Sequence, residues 1–118
     1  KNMRGEDKKR LVKEATPRQI ANCIVAKARV GQNAEVLARS IDREDVAERI
    51  VRVGTPKDIA FTIWAFGKLG HKAKVLAGFL DHREVAIKLV TVGTARDIAN
   101  TIWACAKLGL DAKVLAGL

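Results

Sequence analysis

A stripe of residues suited to holding a polyanion recurs three times along this 118-residue chain. It reads Arg18, Asn22, Val25 and Arg29, then Lys57, Phe61, Trp64 and Lys68, then Arg96, Asn100, Trp103 and Lys107. Steps of four, three and four residues place each set on one face of a helix. The chemistry is that of single-stranded RNA recognition: cations meet phosphates, aromatic rings stack on bases, and the amides of Asn22 and Asn100 reach base edges. Each residue also has a plainer use. Trp64 and Trp103 stand among Ile63, Ala65, Leu69 and their counterparts, the setting of a Trp packed between helices. Lys68 and Lys107 fall in a last helical turn, where a cation complements the helix dipole. Position 22/61/100 varies between Asn and Phe, as a base-reading position and an unconstrained surface position both would.

No other grouping has the pattern of a reaction centre. Cys23 and Cys105 form no Cys-x-x-Cys, and His71 and His82 are not spaced to join them around a metal. Both thiols are expected to be free, as in a reducing compartment. His71 reads as a loop residue and His82 as a helix start. The glycines are single and periodic rather than gathered into a phosphate-cradling loop, and no Ser-His-Asp or Cys-His grouping occurs. The expectation is a non-enzymatic protein with no catalytic residue, metal or cofactor. Lys8-Lys9-Arg10, interleaved with Glu6, Asp7 and Glu14, reads as the exposed face of a helix more than as an electrostatic arm.

The elements that must carry the stripe follow from a period of 39 residues. Thr16-Pro17-Arg18-Gln19-Ile20-Ala21 recurs as Thr55-Pro56-Lys57-Asp58-Ile59-Ala60 and as Thr94-Ala95-Arg96-Asp97-Ile98-Ala99. The match continues through Gly31, Gly70 and Gly109 and through the Val-Leu-Ala triplets at 36, 75 and 114. A period of this size signals stacked supersecondary units. Each unit opens with a Thr cap and an acceptor three residues on, with Pro at the first helical position in two copies. This first helix, of type A, should run to Val30, Leu69 and Leu108 and stop at the following Gly. A short B helix over Ala34–Ile41 and Ala73–Leu80 comes next. Asp42 with Asp45, and Asp81 with Glu84, read as capping boxes for a C helix that ends at Gly54 or Gly93; B and C could also be one bent helix. The expected fold is all-α, an α-solenoid of two or three helices per unit, with A helices in one layer and C helices in another. Residues 1–15 read as the end of a preceding repeat, with Asp7–Glu14 as a C-type helix. Repeats then span 16–54, 55–93 and, truncated, 94–118. Ile20, Ile24, Leu37, Val46, Ile50, Ile59, Ile63, Leu76, Val85, Leu89, Ile98 and Ile102 should form the core.

The net charge of +9 favours an acidic partner. The excess lies in the N-terminal 15 residues and in the A helices, which carry +3, +1 and +1. No apolar run reaches membrane-spanning length.

The segments Asp58–Gly70 and Asp97–Gly109, with Ile-Trp-Ala in their middle and Lys-Leu-Gly at their end, resemble the octotricopeptide repeat. They are also similar to the Trp-containing SKWP-type repeats of type III effectors from plant-pathogenic bacteria. The first unit departs, with Val25 at the Trp position and Lys27-Ala28-Arg29-Val30 before its glycine. The first resemblance implies an α-solenoid of an organellar RNA-binding factor. The second implies a protein-interaction scaffold within a large effector acting in a host cell. The expected partners are therefore RNA or an acidic protein surface, together with adjacent repeats of a longer parent chain. No membrane is expected as a partner. An intracellular location is implied by either: host-cell cytoplasm for an effector, organelle for an RNA factor.

Overall fold

The computed structural model describes residues 10, 12–110 and 113–117, and these contain helices and no strand. The helices are α1 (Pro17–Val30), α2 (Glu35–Ile41), α3 (Glu44–Val53), α4 (Pro56–Leu69), α5 (Lys74–Leu80), α6 (Arg83–Val92), α7 (Ala95–Lys107) and α8 (Lys113–Ala116). Types A, B and C thus follow one another as separate helices. Asp42-Arg43 and Asp81-His82 break B from C, because Arg43 and His82 have extended backbones. Of the C-type helix expected over Asp7–Glu14, residues 10 and 12–14 are helical; its other positions lie outside the described residues.

Local chemistry explains the A helices. The Thr16 hydroxyl accepts from the Gln19 amide at 3.1 Å, and the Gln19 side chain accepts from the Thr16 amide at 2.9 Å. Thr55 with Asp58 and Thr94 with Asp97 repeat this reciprocal pair. At the other end Gly31, Gly70 and Gly109 have φ of 67°, 72° and 67°, a left-handed turn that only glycine enters without cost. There the amides of Gly31 and Gln32 return to the carbonyls of Ala28 and Lys27, and the later units do likewise. Helix α7 closes one residue earlier than expected, with Leu108 as its cap. Gly54 and Gly93 end the C helices for a different reason. Their backbones are extended, but a Cβ on Gly54 would lie 2.4 Å from the Ile50 carbonyl and 3.0 Å from Pro17 Cβ. The glycine there is a matter of space.

The A helices pack side by side at one-period offsets: α1 on α4, and α4 on α7, are the largest helix contacts. Approach is close enough that a Cβ on Gly67 would meet Ala104 Cα at 3.2 Å. Ile20, Ile24, Leu37, Val46, Ile50, Ile59, Ile63, Leu76, Val85 and Leu89 are buried as expected. Ile98 and Ile102 are not: Ile98 is half-buried and Ile102 is 42% exposed. Their counterparts Ile59 and Ile63 are enclosed because α4 has an A helix on each side, whereas α7 has one only on the side of α4.

The C helices do not form a layer of their own. Helix α3 packs chiefly on α5, and α6 on α8, so each C helix lies against the B helix of the next unit. Two polar clamps explain this. Asp42 does not cap its own C helix, which has Arg43 at its start and no side-chain cap. Its carboxylate accepts instead from the Leu76 amide at 2.8 Å and the Val75 amide at 3.4 Å, at the start of α5. Asp81 accepts from the Val114 amide at 3.0 Å in the same way. The position one period before Asp42 is Met3, and α2 is served by Asn33, which accepts from the Glu35 amide at 2.9 Å. The second clamp runs backwards. The Arg49 guanidinium donates to the carbonyls of Val12 and Lys13. One period on, the Lys88 ammonium donates to the carbonyls of Gly54 at 2.6 Å and Val51 at 3.2 Å. The ends of the first two C-type helices are thus each met by a cation from the next unit.

Two outcomes check this packing by denaturant unfolding. Ile63→Ala should cost about 2–5 kcal/mol, while Ile102→Ala, the same change one period later, should cost under about 1 kcal/mol. Asp42→Ala should cost about 0.5–2 kcal/mol through the lost cap, and Asp42→Asn, which keeps an acceptor, much less. Burial pushes the Asp42 carboxyl above its ordinary range, against the lowering effect of the Leu76, Val75 and Lys74 amides. A raised folded-state value means that its proton is held more tightly in the native chain. The stability that its protonation contributes is therefore full below the unfolded carboxyl range and is lost as pH rises through the folded value. Asp42→Asn should remove that part of the pH dependence.

Candidate nucleic-acid interface

Each type A helix carries its stripe of candidate residues on one face, and the cations on it are exposed: Arg18, Arg29, Lys57, Lys68, Arg96 and Lys107 all lie open to solvent. Between the N-terminal halves of α1 and α4 a groove of about 310 Å³ is lined by Arg18, Ala21, Asn22, Lys57, Asp58 and Phe61. Four of the candidate residues, from two successive units, therefore meet at one place. The Lys57 ammonium stands 5.7 Å from the centroid of the half-buried Phe61 ring, within cation–π range. Asn22 is exposed at the opposite wall.

The aromatic positions divide. Val25 is buried, so the first unit offers no ring at the middle of its stripe. Trp64 is half-buried and packs against the core, which leaves part of its indole at the surface. Trp103 is 41% exposed, and its ring edge would lie 3.0 Å from a Cβ on Gly67. Both indoles thus do packing work while keeping an open edge. Asn100 is half-buried, next along the helix from the exposed Arg96. Arg29, Lys68 and Lys107 sit in the last turns of α1, α4 and α7.

Sequence reasoning treated Asp58 only as a cap and missed its place in the groove. It is buried, its Oδ2 accepts from the Thr55 amide at 3.1 Å, and its Oδ1 lies 3.8 Å from Arg18 Nε. One carboxylate thus braces its own helix and draws Arg18 across from the neighbouring one. Because Arg18 is largely exposed, the attraction is screened and positions the guanidinium more than it stabilises the fold. The signal available beforehand was the acid at 58 and 97 standing one residue past the base one period earlier.

A second groove recurs on the far side, at successive unit boundaries. One copy, of about 340 Å³, is lined by residues that include Arg52, Phe79, His82 and Lys88; the other includes Arg10, Lys13, Ser40 and Arg43. The Phe79 and His82 rings meet edge-on at 5.3 Å. Among the described residues no group of three or more His, Cys, Asp or Glu could hold a metal ion, and no helix is long and apolar enough to cross a membrane. The polar groups of the A-helix face are cations, amides and an engaged carboxylate, an arrangement that holds and orients anions and flat rings.

No protein-family model, no curated protein and no solved structure matches the chain.

The thiols give a direct check on the packing of the A helices. Cys23 is half-buried on α1 and Cys105 is buried on α7, both free. Burial, and after it the Asp81 carboxylate, pushes the Cys105 thiol above its ordinary range. A thiol reagent at neutral pH should modify Cys23 first, with Cys105 reacting at least tenfold more slowly until denaturant is added, since the thiolate is the reactive form. Two thiols should be counted in denaturant without reductant.

Proposed function

We propose that the three units form an α-solenoid and that its A-helix face binds single-stranded RNA. The observation that carries this reading is the convergence of Arg18, Asn22, Lys57 and Phe61 from two successive units on one groove. A cation on each wall suits a phosphate backbone, and a partly open ring with an amide opposite suits a base. Trp64 and Trp103, each with an open edge, continue the same face. The net charge of +9 supplies the long-range attraction. The resemblance to octotricopeptide repeats points the same way.

On this reading Arg18, Arg29, Lys57, Lys68, Arg96 and Lys107 contact phosphates, Phe61, Trp64 and Trp103 stack, and Asn22 and Asn100 read base edges. Binding should then weaken steeply with salt, because each neutralised phosphate releases counterion with a log–log slope of about −0.7 on single strands. Replacing Lys68 and Lys107 together by Ala should make that slope shallower by about 1.4, two contacts' worth. Replacing Asn22 or Asn100 by Ala should change the preferred base and leave the slope alone. The measurement is a salt titration against mixed-sequence RNA oligomers. A slope indifferent to the two lysines, or no binding near physiological salt, would turn the reading to an acidic protein surface as the partner.

A further inference from the structure

The groove between α1 and α4 holds one group for which a phosphate has no use. Asp58 lines it together with the cations Arg18 and Lys57. Its side chain is only 10% exposed, and its two oxygens are differently engaged. Oδ2 accepts from the Thr55 amide. Oδ1 stands 3.8 Å from Arg18 Nε, too far for a hydrogen bond, and among the described residues no hydrogen bond reaches it. The cap alone does not call for an acid, since the neutral Gln19 caps α1 through the same reciprocal pair. An acid that lines a cationic groove with one oxygen to spare is an acceptor offered to whatever enters.

The set recurs one period on. The positions of Arg18, Ala21, Asn22, Lys57, Asp58 and Phe61 are taken at the α4–α7 boundary by Lys57, Ala60, Phe61, Arg96, Asp97 and Asn100. Two cations, an acid, a ring and an amide are present again, with ring and amide exchanged between the two helices. Helix α7 packs on α4 as α4 packs on α1. Asp97 is buried, and its Oδ2 accepts from the Thr94 amide at 3.0 Å.

A carboxylate accepts and does not donate, so it sorts bases by their donors. Guanine offers two adjacent donors on its pairing edge, N1–H and the 2-amino group. Adenine and cytosine each offer one amino group beside a ring-nitrogen acceptor that a carboxylate repels. Uracil offers N3–H flanked by two carbonyls. The acceptor left on guanine, O6, suits the amide of Asn22 or Asn100, and its flat face suits the Phe61 ring.

We infer that Asp58, and Asp97 one period on, select guanine in the single strand held by the A-helix face. This inference rests on the RNA-binding reading and deepens it. The carboxylate accepts from N1–H and the 2-amino group, the asparagine amide donates to O6, and the cations stay on the flanking phosphates.

Fluorescence anisotropy at low salt tests this, with oligouridine tracts that carry one central guanosine, inosine, adenosine or cytidine. Wild type should bind the guanosine tract about tenfold more tightly than the adenosine or cytidine tract, the discrimination of a good two-bond edge contact. Adenosine controls for purine stacking. Inosine lacks the 2-amino group and should bind about threefold more weakly than guanosine, for one hydrogen bond lost. The double variant Asp58→Asn, Asp97→Asn keeps an oxygen for each cap and is checked for folding by circular dichroism. It should bind all four tracts alike, with affinity for plain oligouridine unchanged or raised, because a negative charge has left each groove. Wild-type binding with a steep salt slope and no preference for guanosine overturns the inference and leaves RNA binding standing. So does inosine bound as tightly as guanosine, a preference that survives in the double variant, or a double variant that loses affinity equally for every tract. Absence of binding to any tract removes the RNA reading and this inference with it.

Discussion

A single unit of this chain cannot satisfy its own helix ends. The B helices α2 and α5 are seven residues long and have Ala34 and Ala73 at their N-caps, residues without a capping side chain. A helix this short keeps most of its amides and carbonyls without intrahelical partners. The C helices α3 and α6 end at Gly54 and Gly93, and the last carbonyls of α3 are taken by Lys88 of the next unit. Water would serve these groups in isolation, but the apolar face that each unit must bury brings them under its neighbour. The acid at 42 and 81 and the base at 49 and 88 are the answer, one clamp reaching forward to a helix start and one reaching back to a helix end. On the other side of each unit the A helices approach closely, with Gly67 against Ala104.

Much of this was legible because it is local. The Thr caps with their partner three residues on and the three left-handed glycines depend on residues within one or two turns. The clamps depend on residues 33 to 37 positions apart. Local rules therefore gave Asp42 a cap role on its own helix, a role that a one-turn geometry permits and the neighbouring unit overrides. A signal existed: an acid and a base each recur one period on, and a base recurs at Arg10 as well.

Exposure was less legible than structure. Ile63 and Ile102 have the same flanking residues, Thr before and Trp after, and the same place on the same type of helix. One is wholly enclosed and the other 42% exposed. Hydrophobic periodicity reports which face of a helix is apolar and leaves open whether anything covers it. The same holds for the two tryptophans. Core packing and surface stacking were set as rivals in the sequence, yet Trp64 is half-buried against the core, and Trp103, 41% exposed, has a ring edge close over Gly67 of the neighbouring A helix.

The candidate face is best understood by asking what the packing leaves unused. The clamp bases Arg49 and Lys88 are half-buried and committed to carbonyls. Asp58 and Asp97 are committed to their caps, and Asp42 and Asp81 to the next B helix. Packing thus consumes carboxylates faster than it consumes cations along the A helices. What remains on their outer face is Arg29, Lys57, Lys68, Arg96 and Lys107 in the open, with Arg18 leaning on Asp58. With the two acids of the A helices, Asp58 and Asp97, engaged in capping, the outer face of these helices presents cations at every unit, beside the partly open rings of Phe61, Trp64 and Trp103. That regularity is what distinguishes it from a merely basic protein. A partner matched to it would carry negative charge and flat groups at a repeating interval, as a nucleic-acid strand does and as a folded acidic protein surface does less readily.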